Sequence, residues 1–474
     1  MKFSGICSSS CRLASALLVI TILYPTSFLA AQSGDSKKYD LNVGKKVSTF
    51  NVDTKLEAKG MLVMDPTKET RTVSMNVLAN YRYEERLGAS QGRQKSIRYY
   101  NFAKSRAEIG HGIVNFELND DNRYLILERS NSVQADGKRI SYQTPKPTLT
   151  NEELDLVITP ANSMVLTKWI AKQDVAVDEQ WKTDSGLLAD VLGWDLVDDN
   201  QVFARIKDIN SSSATILLTG EAMGDIDGAA AKMTVKGSLS FNRRDGYVSG
   251  IRLKLAENRD ASPVQPGYEA TIWMESTITP DRAGVRLTNA ELGKLKMDPS
   301  SNPNQLVMTT KCGPYSMIHP RHWRVISDRE DRTVLRCIRN GRVLGQCDII
   351  PLSDHPAGVP NSLDLFKRNV ENAISSNGGR VINAQQSPSL SRNQWMRIDA
   401  DGTSNEIDMR WIYFTMISPD NRRVQLLFTL EQELASEFNG FEMELLDAVQ
   451  FNAVAPTTEG EDVSATLESS SRKQ

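Results

Sequence analysis

The sequence predicts a mixed chain: a β-rich antiparallel meander, curled toward a half-barrel with covering helices, followed by an α+β unit. Three observations carry that prediction. Between Lys45 and Pro280, short runs mixing β-branched, aromatic and polar residues are separated by Gly, Asn and Asp, as strands and turns require. Inside that region, 150–158 and 184–193 instead carry apolar residues at helical spacing. Beyond a polar, proline-punctuated segment the order becomes strand, strand, hairpin, helix, four strands, helix.

The N-terminus has the three parts of an export signal. Lys2 and Arg12 supply positive charge, 13–24 is a short apolar run, and 27–31 offers small residues for cleavage. The run falls short of the roughly 20 residues a membrane helix needs, and Pro25 interrupts it. Residues 1–31 are therefore read as a signal peptide and the mature protein as exported, periplasmic or extracellular, with membrane contact at most peripheral. It stays membrane-tethered only if the signal is not cleaved. Cys7 and Cys11 precede the apolar run, which is the wrong side for a lipid-bearing cysteine.

Residues 32–280 form the β-rich part. Its early strands are expected at 47–56, 72–81, 94–102 and 124–130, and its later ones at 201–209, 214–221, 231–242, 247–255 and 269–278. Met233, Val235, Leu239 and Phe241 alternate with polar residues, and Gly237 takes the matching place. Val248, Ile251, Leu253 and Leu255 do the same after an irregular step at Gly250, so each strand has one buried and one wet face. The helices are cued locally. Thr150 and Glu153 have capping-box spacing and Pro160 ends the first helix, while Leu187, Leu188, Val191 and Leu192 share one face of the second. These two helices are the expected cover for the apolar face of the sheet.

Residues 281–305 read as a linker, 306–452 as the α+β unit and 453–474 as a disordered tail rich in Ser, Thr and Glu. In the α+β unit, 333–338 and 342–350 make a hairpin about Asn340 and Gly341. Leu363, Phe366, Val370 and Ile374 align on one helix, stopped by Gly378 and Gly379. Leu434, Phe438, Phe441, Leu445 and Val449 align on a final helix spanning 431–449. A two-residue turn pairs 337 with 344, which places Cys337 and Cys347 on opposite faces. A disulfide from Cys312 to either one, or three unpaired cysteines, both remain open.

The element order of 312–451, with Pro320 three residues before Trp323, resembles the Mog1/PsbP-like domains of exported bacterial proteins and photosystem accessory subunits. The family usually places Gly directly before the Trp, where this chain has His322. The resemblance implies a binding or assembly module with no catalytic residue set. The segments 149–157, 160–162 and 177–181 are similar to uncharacterised exported proteins of planctomycete-type bacteria, which implies export and a β-rich architecture.

Composition narrows the function classes. An apolar fraction of 40% and a charged fraction of 24% describe a globular chain. The net charge is −3, and loss of Lys2 and Arg12 with the signal makes it −5, so nucleic acid is excluded as an expected partner. Gly88, Ser90 and Gly92 fit G-x-S-x-G, but polar flanks replace the apolar strand and the helix that a nucleophile elbow needs, so a hairpin loop is expected. His111, His319, His322 and His355 do not show metal-ligand spacing, because Pro320 separates the close pair. Asp225, Asp227 and Gly228 resemble the opening of a calcium loop, but three alanines follow and a plain turn is expected. No metal, cofactor or catalytic residue is expected. Trp169, Trp181 and Trp194 near the helices, and Trp411 and Tyr413 on one face of a late strand, are the candidate ligand or partner surface, with core packing as the alternative. Two functions follow: a non-catalytic binding or assembly protein of the bacterial envelope, or a carrier of a lipid or other apolar ligand in the half-barrel. A serine hydrolase centred on Ser90 is the weakest reading.

Overall fold

The computed structural model describes residues 38–41, 48–63, 72–90, 93–131, 139–145, 149–170, 174–262, 265–281, 284–295, 305–313, 315–339, 342–356, 358–359, 361–387 and 393–452. The expected signal, the proline-punctuated stretch 298–304, the turn at 340–341 and the tail 453–474 lie outside them. The described residues belong to one compact unit.

The β-rich part is a single antiparallel sheet of thirteen strands among the described residues. In chain order they are β1 (Thr49–Val63), β2 (Thr72–Ser90), β3 (Arg93–Ile109), β4 (Gly112–Glu117), β5 (Tyr124–Arg129), β6 (Ile140–Gln143), β7 (Gln180–Lys182), β8 (Leu196–Asn200), β9 (Phe203–Ile209), β10 (Ser213–Ile226), β11 (Ala229–Asn242), β12 (Tyr247–Arg259) and β13 (Gly267–Pro280). Pairing runs β6-β5-β3-β2-β1-β13-β12-β11-β10-β9-β7, with β4 on β3 and β8 on β10. Among the described residues the path ends at β6 and β7 and does not close into a barrel.

The chain travels out to the β6 edge and returns from the β7 edge. Between the two in sequence lie α1 (Asn151–Val157) and α2 (Ser163–Leu166), and α3 (Ser185–Leu192) follows β7. Their apolar residues share one core with the inward residues of the strands, including Leu154, Val165, Leu188, Met233, Leu239 and Leu253. The helices thus cover the sheet face that alternation leaves apolar, and each such aliphatic side chain contributes about 1.5–3 kcal/mol when fully buried. Gly237 keeps its place because a Cβ there would lie 2.5 Å from the Arg252 carbonyl oxygen. The irregular step near Gly250 is a bulge: Ser240 faces Gly250 while Phe241 faces Val248.

Local signals end the helices as expected. The Thr150 hydroxyl accepts from Glu153 N at 3.1 Å and Glu153 Oε2 accepts from Thr150 N at 3.0 Å, a complete capping box. Asp184 caps α3 and left-handed Gly193 closes it. The α2 turn has no counterpart in the sequence reading. It is anchored by a buried network: Arg98 on β3 donates to Glu85 on β2 (2.9 Å) and to Asn162 and Ser163 at the start of α2.

The second sheet contains β16 (Trp323–Asp328), β17 (Thr333–Arg339), β18 (Arg342–Leu352), β19 (Arg380–Gln386), β20 (Gln394–Ser404), β21 (Ile407–Ile417) and β22 (Arg423–Glu431). They are preceded by β14 (Gln305–Thr309) and β15 (Tyr315–Pro320), which join β23 (Val449–Phe451) in a small separate sheet. The order β16-β17-β18-β22-β21-β20-β19 arises because the crossover helix carries the chain from β18 to the far edge, from which hairpins lead back. Numbering helices along the chain, α4 is Asn289–Lys294, the crossover helix α5 is Leu363–Ile374, and the last two are α6 (Ala435–Phe438) and α7 (Phe441–Ala448). α5 covers one face over Ile398, Trp411 and Tyr413, while α6 and α7 lie over Phe414, Phe428 and Trp323 on the other. Helices on both faces of an antiparallel sheet give the α+β class expected.

The segment read as linker contains a short helix, α4, whose N-cap Thr288 accepts from Glu291 N. Two expectations are corrected. The single final helix is broken, because Gly440 adopts φ 99° between α6 and α7. Cys337 and Cys347 do not lie on opposite faces. A bulge at Cys337/Ile338 sets Cys337 against Gly345 and Leu335 against Cys347, so both thiols point into one core. Cys312 joins that core, and all three are free.

Candidate functional site

The strand ends of the large sheet meet the second sheet at a seam, and its geometry starts from a turn. Ile226 pairs with Ala229 across Asp227 and Gly228, at φ 47° and 75°, the two-residue turn that an Asp-Gly pair favours. That turn holds the Asp227 carboxylate between two elements. It accepts from Arg324 on β16 at 3.1 Å and from Gln265 of the β12–β13 connection at 2.9 Å. Gln265 in turn accepts from Arg259 at 3.3 Å. Arg259 donates to Glu257 at 2.6 Å and to the Tyr268 hydroxyl at 2.9 Å, with its guanidinium 4.5 Å from the Tyr268 ring centre. A continuous polar chain therefore links the large sheet to β16. Nearby, Arg321 donates to the Tyr142 carbonyl of β6 at 2.7 Å, and Val307 N on β14 donates to the Leu149 carbonyl.

Behind these contacts lies a cavity of about 510 Å³, within the range of small-molecule sites. It is walled by α1, α3, the end of β6, the turns at Asp227 and Gln265, and the 321–325 segment. Its lining carries four guanidiniums, from Arg139, Arg259, Arg321 and Arg324, against the carboxylates of Asp155, Asp190 and Asp227. Leu62, Met75, Ile158, Trp194 and Val325 supply apolar wall. No Ser, Cys, His or Lys is present in the lining among the described residues.

Burial tunes the ionisable groups. Asp155 reaches water at the mouth, yet protein surrounds its carboxyl on most sides and raises it to about 6, with Arg324 opposing and Asp227 adding to the rise. Asn151 donates to it at 3.1 Å. Burial also raises Asp190, which Arg129 meets at 2.5 Å. The Tyr142 hydroxyl is pushed to about 12 by burial, so it stays protonated. The arrangement can engage charged and apolar parts of one molecule together.

The residues singled out from sequence fall in different places. Trp194 lines the cavity. Trp169 is buried in the first core and Trp181 packs half-buried against it. Trp411 and Tyr413 are a core row under α5, not an exposed stripe. Ser90 ends β2, which leads into β3 as a hairpin with Ser90 paired to Arg93, so no strand-to-helix elbow exists there. His111 is exposed in the β3–β4 turn. His319 is buried with Nδ1 3.1 Å from the Pro320 carbonyl, and burial lowers it to about 4. His322 lies 5.0 Å from the Phe441 ring and is lowered to about 4 by burial and Arg339, so its approach to Glu444 is not an ion pair at neutral pH. His355 meets the Val359 carbonyl at 2.8 Å. Sequence reasoning missed Asp155, Arg259, Arg321 and Arg324, and saw Asp227 only as a turn residue.

No family model and no curated protein matches the chain, so nothing there supports the N-terminal likeness to exported planctomycete-type proteins. Among solved structures, the chain is similar to the cyanobacterial PsbP (CyanoP) of Synechocystis sp. PCC 6803, over 32% of this chain and 96% of that one, at 7% identity and a TM-score of 0.26. It is also similar to the translocator domain of the autotransporter NalP from Neisseria meningitidis, over 81% and 88% of the two chains, at 8% identity and a TM-score of 0.11. Salmonella typhi OmpF matches over 81% and 98%, at 7% identity and a TM-score of 0.13. At these TM-scores none of the three carries an argument about function. Among the described residues, no helix is long and apolar enough to cross a membrane.

Proposed function

We propose that the chain is an exported, non-catalytic binding protein whose ligand occupies the seam cavity. The observation that carries the reading is the cavity itself, built jointly by the large sheet, α1, α3 and the 321–325 segment. Two of the three lining carboxylates are engaged by arginine, Asp227 by Arg324 and Asp190 by Arg129, which supports holding a molecule over transforming it. The export part rests on the signal-like 1–31 segment, and the PsbP-like character of 306–452 rests on its element order. The carrier reading places an apolar ligand inside the half-barrel. There α1, α2 and α3 already pack on the apolar face of the sheet, so a carried ligand is left the same cavity.

Native mass spectrometry of the full chain, purified without detergent, tests this reading. A bound small molecule, released chemically unchanged and lost when Met75→Trp narrows the cavity, is the expected result. A chain that carries no ligand and whose properties Met75→Trp leaves untouched contradicts it.

A further inference from the structure

The cavity is not apolar throughout, and its apolar wall does not stop at its mouth. Leu62 on β1 pairs with Val73, and Met75 on the same strand as Val73 pairs with Ile109. Ala107, two residues before Ile109, pairs with Val114 on β4. Paired residues and i, i+2 neighbours share a sheet face, so Leu62, Met75, Ile109 and Val114 lie on one face. Further along β2 and β3 that face holds Ala79, Tyr81 and Ala103, which belong to the first core. Here, however, Ile109 is 39% exposed and Val114 43% exposed. Among the described residues this face thus continues from the cavity-lining Leu62 and Met75 to the partly exposed Ile109 and Val114. In strand order the other way from Leu62, Tyr268 pairs with Leu62 and Arg259 pairs with Tyr268, and Arg321 and Arg324 join Arg259 in the lining, with Glu257 beside Arg259 and Asp227 beside Arg324 as their acidic partners.

We propose that the cavity binds an anionic amphipath, with a carboxylate or phosphate head among Arg259, Arg321 and Arg324 and an apolar chain laid over Leu62 and Met75 toward Ile109 and Val114. Guanidinium groups recognise both head chemistries through paired N–H donors, so the head is an oxyanion bearing an alkyl chain. That face explains the tail: a partly exposed apolar face continuous with a charged pocket is stabilised by one molecule that has both characters. This inference rests on the binding reading above and narrows it to a ligand class.

Titration calorimetry of the full chain with laurate, dodecyl phosphate, dodecanol and dodecyltrimethylammonium, each below its micelle concentration, tests it. Laurate or dodecyl phosphate is expected to bind at least about tenfold more tightly than dodecanol, the scale of one charged hydrogen bond, and the cation more weakly still. The stronger of the two anions identifies the head. Arg324→Gln is expected to erase the preference, Arg324→Lys to keep most of it, and Val114→Asp to weaken every alkyl probe while leaving thermal stability unchanged. Dodecanol or the cation binding as tightly as the anions overturns the inference and leaves the binding reading standing. So does a co-purifying molecule of other chemistry that Met75→Trp displaces. If no probe binds and nothing co-purifies, both readings fall.

Discussion

At the scale of single residues, two buried charges dominate. Arg98 and Glu85 are 1% and 0% exposed, and the Glu85 carboxylate also accepts from Ser96 at 2.7 Å. Arg98 additionally reaches the Tyr100 hydroxyl at 3.3 Å and stacks 4.6 Å from the Tyr83 ring centre. Replacing Arg98 by Met leaves a carboxylate buried without its cation, so urea denaturation is expected to show a loss of about 3–5 kcal/mol. Glu85→Gln combined with Arg98→Met is expected to recover part of it. The seam carries a pH signature of its own. The Asp155 carboxyl is raised from its ordinary 3.8 to about 6, so between those values the folded state holds more protons than the unfolded one, and stability falls as pH rises. His319 runs the other way. It is lowered from 6.5 to about 4, the folded state holds fewer protons, and stability falls as pH drops through that window. In urea titrations at several pH values, Asp155→Asn is therefore expected to gain on the unmodified chain as pH climbs from about 4 to about 6. A difference independent of pH contradicts the assignment. None of this was legible beforehand. Asp155, Asp227, Arg259 and Arg324 lie far apart in sequence with no fixed spacing, and only the strand register brings them together.

At the scale of elements, the sequence was far more readable, because local chemistry sets starts and stops. The capping box at Thr150 and Glu153 formed as spaced, and Glu153 also accepts from Asn122 at 2.8 Å, tying α1 to the β4–β5 connection. Thr150→Ala is expected to cost about 1 kcal/mol by thermal or chemical denaturation. Where local pattern misled, one residue of backbone made the difference. Apolar periodicity runs through 431–449, yet a glycine at φ 99° divides it, and periodicity does not register a left-handed residue. Gly440→Ala meets no atom within 4 Å, so its expected loss of about 1–2 kcal/mol is purely conformational. Likewise, a simple hairpin register separates Cys337 from Cys347, and one bulged position reunites them. Bulges of this kind depend on packing across the sheet, which a single strand's sequence does not encode.

At the scale of the whole molecule, the two sheets are joined by polar contacts at one seam and by shared apolar packing. Leu306, at the start of the second part, is buried in the core of the first. Alternation along each strand made the β-rich class and the covering helices legible. It did not show that β13 returns to pair with β1, nor that β6 and β7 end the sheet at opposite edges, because those follow from long-range pairings. The seam cavity is a product of that topology. The proposal that it is a ligand site is tested most directly by hydrogen exchange of the full chain with and without laurate. The account predicts slower exchange at 139–142, 225–228 and 321–325 together, since all three segments line the one cavity. Protection confined to the second sheet, or absent from all three segments at saturating ligand, would contradict it.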